Sequence, residues 1–375
     1  MANEYERAMM FAIANIERQE AQNVRQPFGV KVDPLLALSD HLFIKTYRLS
    51  KVLTRYLIEL VTPFMEPPKR TLALSIQNKV LIALQFFGTG SYQLPTGNSR
   101  YSAVSQPSVS RSISEVTNAL NHPSIFHNWV KFPKNMSELR QLRNEFYMKT
   151  GFPGVCGCID CTHIAIVPPS GILREENDYP EHLYVNRKNY HSINTQLICD
   201  MNLKILSVNA LFPGSTHDSH IWNNCNVLPI LQELNRRKQC FYLLGDSGYA
   251  LRPWLLTPIQ NPTNANEELY NKKQMHTRSL VERCNGLLKM RFRCLLKHRV
   301  LHYAPEKATA IINACVVLHN MCITYNEPEP IDNMIDIDFG MYRNNIDQRE
   351  NDSSNDLDNG RRVRACVVRN FEQNE

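Results

Sequence analysis

A mixed α/β fold with an all-helical segment in front of it is predicted by two patterns in this sequence of 375 residues. Before residue 130, apolar residues recur at intervals of three and four, as they do on one face of a helix. After residue 150, short apolar runs and helical spacing alternate in the order strand, hairpin, helix, strand, helix. The length is sufficient for two domains and for a sizeable core in at least one of them.

The helical segment is divided by proline and glycine. Residues 1–35 are predicted to contain a polar N-terminal helix, and residues 36–130 a helical domain. Pro67 follows the first helical stretch of this domain and lacks the backbone donor that a continuing helix needs. A further helix is expected from about Leu74 until the glycine-containing stop that begins at Gly88.

Residues 101–120 are predicted to form a helix-turn-helix, with Ser105 as the N-cap of the second helix. Apolar residues at helical spacing give this helix a face to bury, namely Val109, Ile113, Val116 and Leu120. The opposite face carries polar donors and one charge, which suits a helix that enters a DNA groove. DNA contacts are therefore predicted for Gln106, Ser108, Ser110 and Arg111. An ordinary capped helix in a small bundle has the same pattern, so that alternative stays open.

The α/β part is predicted to occupy residues 151–325, after a connector at 131–150 that contains a helix near Met136. Four strands are expected, at Val155–Val167, His191–Cys199, Leu203–Ala210 and Phe241–Leu244. Three helices are expected, one opening at the turn 213–219 and two at about 276–298 and 305–324.

The charge of the chain is uneven. Residues 326–375 hold six Arg, no Lys and twelve acids, whereas the whole chain carries +6, so residues 1–325 carry about +12. A body of that charge suits a polyanionic partner such as DNA, although solubility alone is also a sufficient explanation. The segment 326–375 is predicted to be a disordered acidic tail, in which residues 360–364 form a weak basic cluster.

Membrane and secreted classes are disfavoured by the composition. No apolar run reaches about 18 residues, so no membrane span is expected. The first residues include acids where a secretory signal carries bases, and the 11 cysteines are therefore expected to be reduced thiols. These features predict a nuclear protein, with the cytoplasm as a second location.

Three acids stand at unusual positions in the α/β part. Asp160 interrupts the apolar run 155–167, and Asp246 ends the apolar run that begins at Phe241. Glu282 lies in a helical pattern, on the same face as the bases Arg278 and Lys289. An ionised carboxylate inside a hydrophobic strand costs several kcal/mol unless it is compensated, and a shared divalent cation is one compensation.

Each acid also has an ordinary explanation, and these explanations remain open at this point. Asp160 can pair with a buried base, Asp246 can cap a turn, and an exposed Glu282 is commonplace. A zinc site formed by the cysteines of the first strand with His163 is a further alternative, but structural zinc sites usually place a turn between ligand pairs.

The metal hypothesis predicts a definite chemistry. One acid from a central strand, one from the end of a neighbouring strand and one from a helix can converge on a single point. Hydrolysis of a phosphodiester by two metals requires carboxylates that hold cations about 3.5–4 Å apart. Carboxylate ligands favour Mg²⁺ or Mn²⁺ over zinc.

Four motifs resemble those of the Harbinger transposase-derived nucleases, relatives of the PIF/Harbinger transposases. They are Gly157–Ile164, Phe212–Ser219 with Ile221 and Trp222, Leu244–Tyr249, and Arg278–Glu282 reaching Lys289. The resemblance covers roughly residues 36–325. It implies an RNase H-like catalytic core at residues 151–325, with a DDE triad formed by Asp160, Asp246 and Glu282.

The same resemblance implies a divalent metal cofactor, DNA as the substrate, and a Myb-like DNA-binding protein as a partner. It gives auxiliary roles to Arg278 and Lys289, and leaves Asp218 between a fourth carboxylate and a helix N-cap. His217 is a candidate phosphate contact or a structural residue. We therefore predict a metal-dependent DNA endonuclease. The alternatives are an active transposase, or a DNA-binding scaffold without catalysis.

Overall fold

The computed structural model describes residues 32–70, 73–169, 180–330 and 354–372. Five strands of these residues form one sheet: β1 Val155–Ala165, β2 Ser192–Cys199, β3 Ile205–Pro213, β4 Tyr242–Leu244 and β5 Leu255–Leu256. The strand order is β3-β2-β1-β4-β5. The pairs β1–β2 and β2–β3 are antiparallel, whereas β1–β4 and β4–β5 are parallel. The predicted mixed α/β architecture is therefore confirmed, with β1 at the centre of the sheet.

Helices precede the sheet, as the hydrophobic spacing predicted. They are α1 Pro34–Ala37, α2 Asp40–Tyr47, α3 Lys51–Val61, α4 Ile76–Thr89, α5 Gln93–Asn98, α6 Gln106–Leu120, α7 Pro123–Trp129 and α8 Met136–Thr150. A 3₁₀ turn, Thr62–Phe64, follows α3. The polar helix predicted within residues 1–35 falls almost entirely outside the described residues.

The remaining helices surround the sheet or follow it. They are α9 Glu181–Tyr184, α10 Asp218–Asn223, α11 Leu228–Arg236, α12 Ala265–Arg291, α13 Pro305–Thr324 and α14 Ser354–Glu372. A 3₁₀ turn, Arg293–Leu295, follows α12. The helix expected at about 276–298 begins eleven residues earlier than predicted, at Ala265, and ends at Arg291. Its N-cap is Asn264, whose side chain accepts from the Glu267 amide.

Local capping explains where the first long helices begin. The hydroxyl groups of Ser39, Ser50 and Ser75 accept hydrogen bonds from backbone amides three residues later, at 3.4, 3.1 and 3.2 Å. These bonds satisfy amides that have no partner within the helix. At the other end of α4, Gly90 adopts φ +64°, a conformation that costs glycine little.

One hydrophobic core joins the helical segment to one face of the sheet, and a second core lies on the other face. The first core runs from Leu35 to Phe371 and contains most of α13. Helix α13 is long and apolar enough to cross a membrane, but 67% of its most apolar stretch is buried within the protein. It serves here as the central helix of the core, packed against β3, α6 and α7.

The prediction of a helix at residues 101–105 is wrong. These residues form a turn, with Ala103 at φ +43°, and the helix that precedes α6 is α5. A helix-turn-helix is thus not confirmed, although α5 packs closely on α6 at Gly97. A Cβ at Gly97 would lie 3.2 Å from Val109 Cγ2 in α6 and 2.5 Å from the Val104 carbonyl oxygen in the turn.

The prediction that the whole tail is disordered is also wrong. Residues 354–372 form α14, which packs against α12 and β5. Its spacing buries Val367, Val368 and Phe371 in the first core. Burial of these three apolar side chains stabilises the helix and offsets conformational entropy that this otherwise polar segment loses when it becomes ordered.

Candidate active site

Alternation along β1 directs its even-numbered residues towards helix α12. The Cys158 thiol donates to the Thr277 carbonyl at 3.3 Å, and the Thr162 hydroxyl accepts from the Lys289 amine at 2.7 Å. Asp160 lies between them in the strand, so its carboxylate faces the same helix. Because α12 carries Glu282, the strand and the helix bring the first and third predicted acids together.

Arg278 lies among the predicted acids. Its Nη1 is 3.8 Å from Asp160 Oδ2, and its Nη2 forms an ion pair with Glu282 one helical turn later. The side chains of Arg278 and Asp160 are only 12% and 11% exposed, so this interaction is poorly screened by water. The alternative that Asp160 pairs with a buried base is therefore correct for this structure.

Asp246 follows β4, whose parallel pairing with β1 aligns Leu244 with Cys158, so two residues further on Asp246 lies about level with Asp160. Its Oδ1 accepts from the Gly248 amide at 2.9 Å, and its carbonyl accepts from the Tyr249 amide at 3.3 Å. The turn-capping alternative is correct as well. Capping a turn and binding a cation are compatible roles for Asp246, since a carboxylate has a second oxygen and about four lone-pair sites.

The charges of the predicted acids Asp160, Asp246 and Glu282 act on one another. Burial raises the pKa of the Asp160 carboxyl well above its ordinary value, and the charge of Asp246 raises it further, against the lowering effect of Arg278. Burial likewise raises the pKa of Asp246, where Asp218 and Glu282 also act to raise it. Such perturbed carboxylates are concentrated at functional sites.

Asp218 is not the N-cap of α10. His217 occupies the cap position, and Asp218 is the first helical residue. The Asp218 carboxylate is buried and accepts from Asn194 Nδ2 at 2.9 Å, and burial raises its pKa. It lies on the face of the sheet opposite to α12, beside Cys161, yet its charge reaches both Asp160 and Asp246.

His217 is exposed and contacts Arg187, whose Nη2 is 2.9 Å from His217 Nδ1. Arg187 also acts electrostatically on Asp218 and on His163. Neither Arg187 nor Asn194 was predicted from the sequence. Asn194 could have been found, because it begins a polar run of three residues inside the otherwise apolar strand β2.

Lys289 lies on the face of α12 that carries Arg278 and Glu282, but it is fully buried. Its amine donates to the Thr162 hydroxyl at 2.7 Å and to the His163 carbonyl at 2.8 Å. It therefore holds β1 against α12 just beyond Asp160. In this structure Lys289 positions the strand and is not open to a phosphate.

The zinc alternative is not supported by the strand geometry. Cys158 faces α12, whereas Cys161 lies on the other face, with its sulphur 3.3 Å from the Tyr249 hydroxyl. Burial raises the pKa of both thiols, which disfavours the thiolates that zinc requires. Both cysteines are buried free thiols.

The acids fit a divalent cation in chemistry and charge, though not in their present spacing. When ionised, Asp160, Asp246 and Glu282 carry three negative charges against the single charge of Arg278, which leaves an excess that a divalent cation would compensate. Their donors are all carboxylate oxygens, which suit Mg²⁺ or Mn²⁺. Among the described residues, however, no three or more His, Cys, Asp and Glu side chains lie close enough to hold an ion.

The predicted DNA-reading face of α6 is open to solvent. Gln106 and Arg111 are exposed, and Ser108 and Ser110 are half-buried. Arg111 donates to Ser108 Oγ at 3.2 Å. The predicted apolar stripe of this helix is buried, as expected.

Comparison with known proteins places these observations in a family. The chain matches the family described as DDE superfamily endonuclease over residues 159–320, a segment that contains all three acids. It is 34% identical over 290 residues to the human protein named "Putative nuclease HARBI1", covering 77% of this chain and 79% of that relative. The chain belongs to the Harbinger transposase-derived nuclease family.

Other relatives extend the family across animals and plants. The Xenopus laevis protein of the same name is 33% identical over 291 residues, covering 77% of this chain and 80% of the relative. The Arabidopsis thaliana protein named "Protein ALP1-like" is 27% identical over 264 residues, covering 67% and 61%. No solved structure matches the chain significantly. The five-stranded mixed sheet is consistent with the fold of a DDE endonuclease, and the RNase H-like core stays a prediction.

Proposed function

We propose that this protein is a DNA endonuclease that hydrolyses phosphodiester bonds with two divalent cations held by Asp160, Asp246 and Glu282. The observation that carries the proposal is that Arg278 pairs with both Asp160 and Glu282, while Asp246 acts electrostatically on Asp160 and both aspartates have raised pKa values. Membership of a family of nucleases supports the reaction class. The charge of about +12 over residues 1–325 supports DNA as the substrate.

The chain's own residues supply binding and orientation in this proposal. The carboxylates would hold Mg²⁺ or Mn²⁺, and such ions activate water and stabilise the leaving oxygen of a phosphodiester. Lys289 fixes β1 through Thr162, so the backbone that carries Asp160 is held firmly against α12. Arg278, released from Asp160, would remain near the site as a cation that can pair with a phosphate oxygen.

A nicking assay on supercoiled plasmid DNA, with Mn²⁺ or Mg²⁺ and with EDTA, tests the proposal. The wild-type protein is expected to nick only with metal, and Asp160→Asn to lose at least about a hundredfold in rate, since the substitution removes a charged metal ligand. Leu211→Asn, which alters an exposed side chain on β3, is the control and should keep full activity.

A second measurement separates loss of catalysis from loss of fold. Mn²⁺ should raise the thermal unfolding midpoint of the wild type but not that of Asp160→Asn, because an ion that binds only the folded state stabilises it. Metal-dependent nicking by Asp160→Asn at the wild-type rate would refute the proposed site.

A DNA-binding scaffold without catalysis is the second candidate, and one observation favours it. Arg278 pairs with both Asp160 and Glu282, which gives these two acids a structural partner within the protein. A protein that binds duplex DNA but neither nicks it nor gains stability with Mn²⁺ would match this candidate.

Nuclear location, predicted from the sequence, and a Myb-like DNA-binding partner, implied by the family resemblance, are further parts of the proposal, whereas transposition activity is an alternative to it. Co-purification of a Myb-like protein with the tagged chain from nuclei would support the first two. Excision of a DNA segment flanked by terminal inverted repeats would be required for the third.

A further inference from the structure

Helix α14 is fitted closely to the segment that follows Asp246. Gly360 lies against the chain at Arg252, where an added Cβ would be 3.0 Å from the Arg252 carbonyl carbon. Arg364 Nη1 donates to the carbonyl oxygens of Thr257 and Pro258, at 3.4 and 3.2 Å. These contacts fix both the depth and the rotation of the helix.

A cavity of about 190 Å³ lies between this helix and the segment after Asp246. Its polar lining consists of Ser247, Thr257, Gln260, Arg361 and Arg364. The volume exceeds the share of a single water molecule, roughly 30 Å³, but is below the roughly 300–1,000 Å³ typical of cofactor sites. A compact anionic group is the ligand that fits both the size and the two guanidinium groups.

The two arginines differ in how firmly they are held. Arg364 is half-buried and anchored to two carbonyls through Nη1, and its guanidinium has three further N–H donors, one on Nε and two on Nη2. Arg361 is exposed, and its Nη1 pairs with Asp358 at 3.0 Å. An exposed ion pair of this kind contributes little to stability, so Arg361 can exchange the Asp358 carboxylate for a phosphate at little cost.

The cavity adjoins the proposed catalytic acids. Ser247 lines it and directly follows Asp246, and neighbouring Cα atoms are about 3.8 Å apart. Successive phosphates along one strand of duplex DNA advance by about 3.4 Å along the helix axis. A strand whose scissile phosphate lies at Asp246 therefore has another phosphate within reach of the cavity.

We propose that Arg361 and Arg364, with Ser247, form a cradle for a phosphate of the DNA backbone next to the cleaved bond. This inference rests on the proposed function, since it takes DNA as the substrate of the same site. It gives two arginines of the basic cluster at 360–364 a role in positioning the substrate. Arg361 makes the exchangeable contact to the phosphate, and Arg364, anchored to two carbonyls, forms a rigid side of the cavity.

Arg362 provides a matched control on the same helix. It lines a different cavity, of about 520 Å³, together with Tyr147, Tyr242 and Val363. Arg361→Gln and Arg362→Gln remove the same charge from adjacent exposed positions, so non-specific electrostatics affects both variants alike.

The test is the affinity of the full chain for a labelled duplex of random sequence, measured by fluorescence anisotropy from about 50 to 200 mM salt. Arg361→Gln should weaken binding about three- to tenfold and reduce the slope of log K against log salt by about 1. Arg362→Gln should change the affinity by less than about twofold, and Arg361→Lys should restore the slope. Unchanged thermal unfolding of each variant confirms that its fold is intact.

Equal effects of the two glutamine variants, or an unaltered slope in Arg361→Gln, would overturn the cradle. Failure of the proposed function gives a different result. If Asp160→Asn nicks plasmid DNA at the wild-type rate while Arg361→Gln lowers the salt slope, the catalytic site is wrong, and Arg361 is a DNA contact that does not lie next to the cleaved bond. If the wild-type chain binds no duplex DNA, both proposals fall.

Discussion

Two polar residues of β1 depend on the buried amine of Lys289. It donates to the Thr162 hydroxyl and to the His163 carbonyl, so it anchors the strand immediately after Asp160. Burial, Lys289 and Arg187 together lower the pKa of His163 from 6.5 to about 4. The imidazole is therefore neutral in the folded protein at neutral pH, with Nδ1 at 3.1 Å from Ser192 Oγ.

His163 is expected to make folding stability depend on pH. Its pKa is lower in the folded state than in the unfolded chain, so protonation favours unfolding, and stability is lost as pH falls from 6.5 towards 4. The loss at pH 5 is about 2 kcal/mol. Between pH 7.5 and pH 5 the free energy of urea unfolding should fall less in His163→Gln, which cannot titrate, than in the wild type. The difference between the two drops should be about 2 kcal/mol.

His41→Gln, on the exposed side of α2, is the control and should retain the wild-type drop. An equal drop in the wild type and in His163→Gln would mean that the His163 imidazole is protonated equally in both states.

At the level of elements, α6 presents opposite faces to the core and to solvent. Its apolar stripe was predicted correctly and joins the first core. Its polar face is the surface on which DNA contacts are predicted, and Arg111 is its only charge among the four predicted contacts. The helix is amphipathic whether or not it binds DNA, so burial alone does not distinguish the two roles.

Arg111→Ala is expected to weaken duplex binding about three- to tenfold and to lower the salt slope by about 1, because one phosphate contact is lost. Arg55→Ala removes the same charge from an exposed position on α3 and should have a smaller effect. Similar salt slopes for the wild type and Arg111→Ala would remove Arg111 from the DNA contacts.

The elements that the sequence predicted correctly are those whose signal is local. Helix α13 begins at a proline and was predicted at its observed bounds, because Pro305 suits the first turn and apolar residues follow. Strand β5 was missed, since two leucines give no periodicity. Helix α14 was missed because acidic composition outweighed the i, i+4, i+8 spacing of Val363, Val367 and Phe371.

The candidate site was partly predictable for the same reason. Asp160 and Asp246 were found because a charge within or ending an apolar run is visible in the chain itself. The ion pair of Arg278 with Asp160, and the approach of Asn194 to Asp218, join residues that are far apart in sequence. Spacing within one segment carries no information about such pairs.

At the level of the whole molecule, the C-terminal helix completes the first core. The Phe371 ring lies 5.5 Å from that of Phe152 between centroids, and the Lys273 amine lies 4.4 Å above it. Helix α14 is thereby joined to the residues just before β1. Residues 354–372 are thus part of the folded body, although their composition is largely polar.

Phe371→Ala should lower the free energy of unfolding by about 2 to 4 kcal/mol, because it removes a buried ring and leaves a cavity. Met148→Ala, which truncates a side chain that is 82% exposed, should change it by less than about 0.5 kcal/mol. Urea unfolding measures both. Equal values for the two variants would show that α14 contributes nothing to the stability of the rest.

The guanidinium of Arg278 has a consequence for the evolution of such proteins. Since Arg278 pairs with Asp160 and Glu282, these two acids have a partner within the protein itself. A substitution that abolished cation binding would therefore not have to destabilise the fold, and the two properties could be lost separately in the descendants of a transposase.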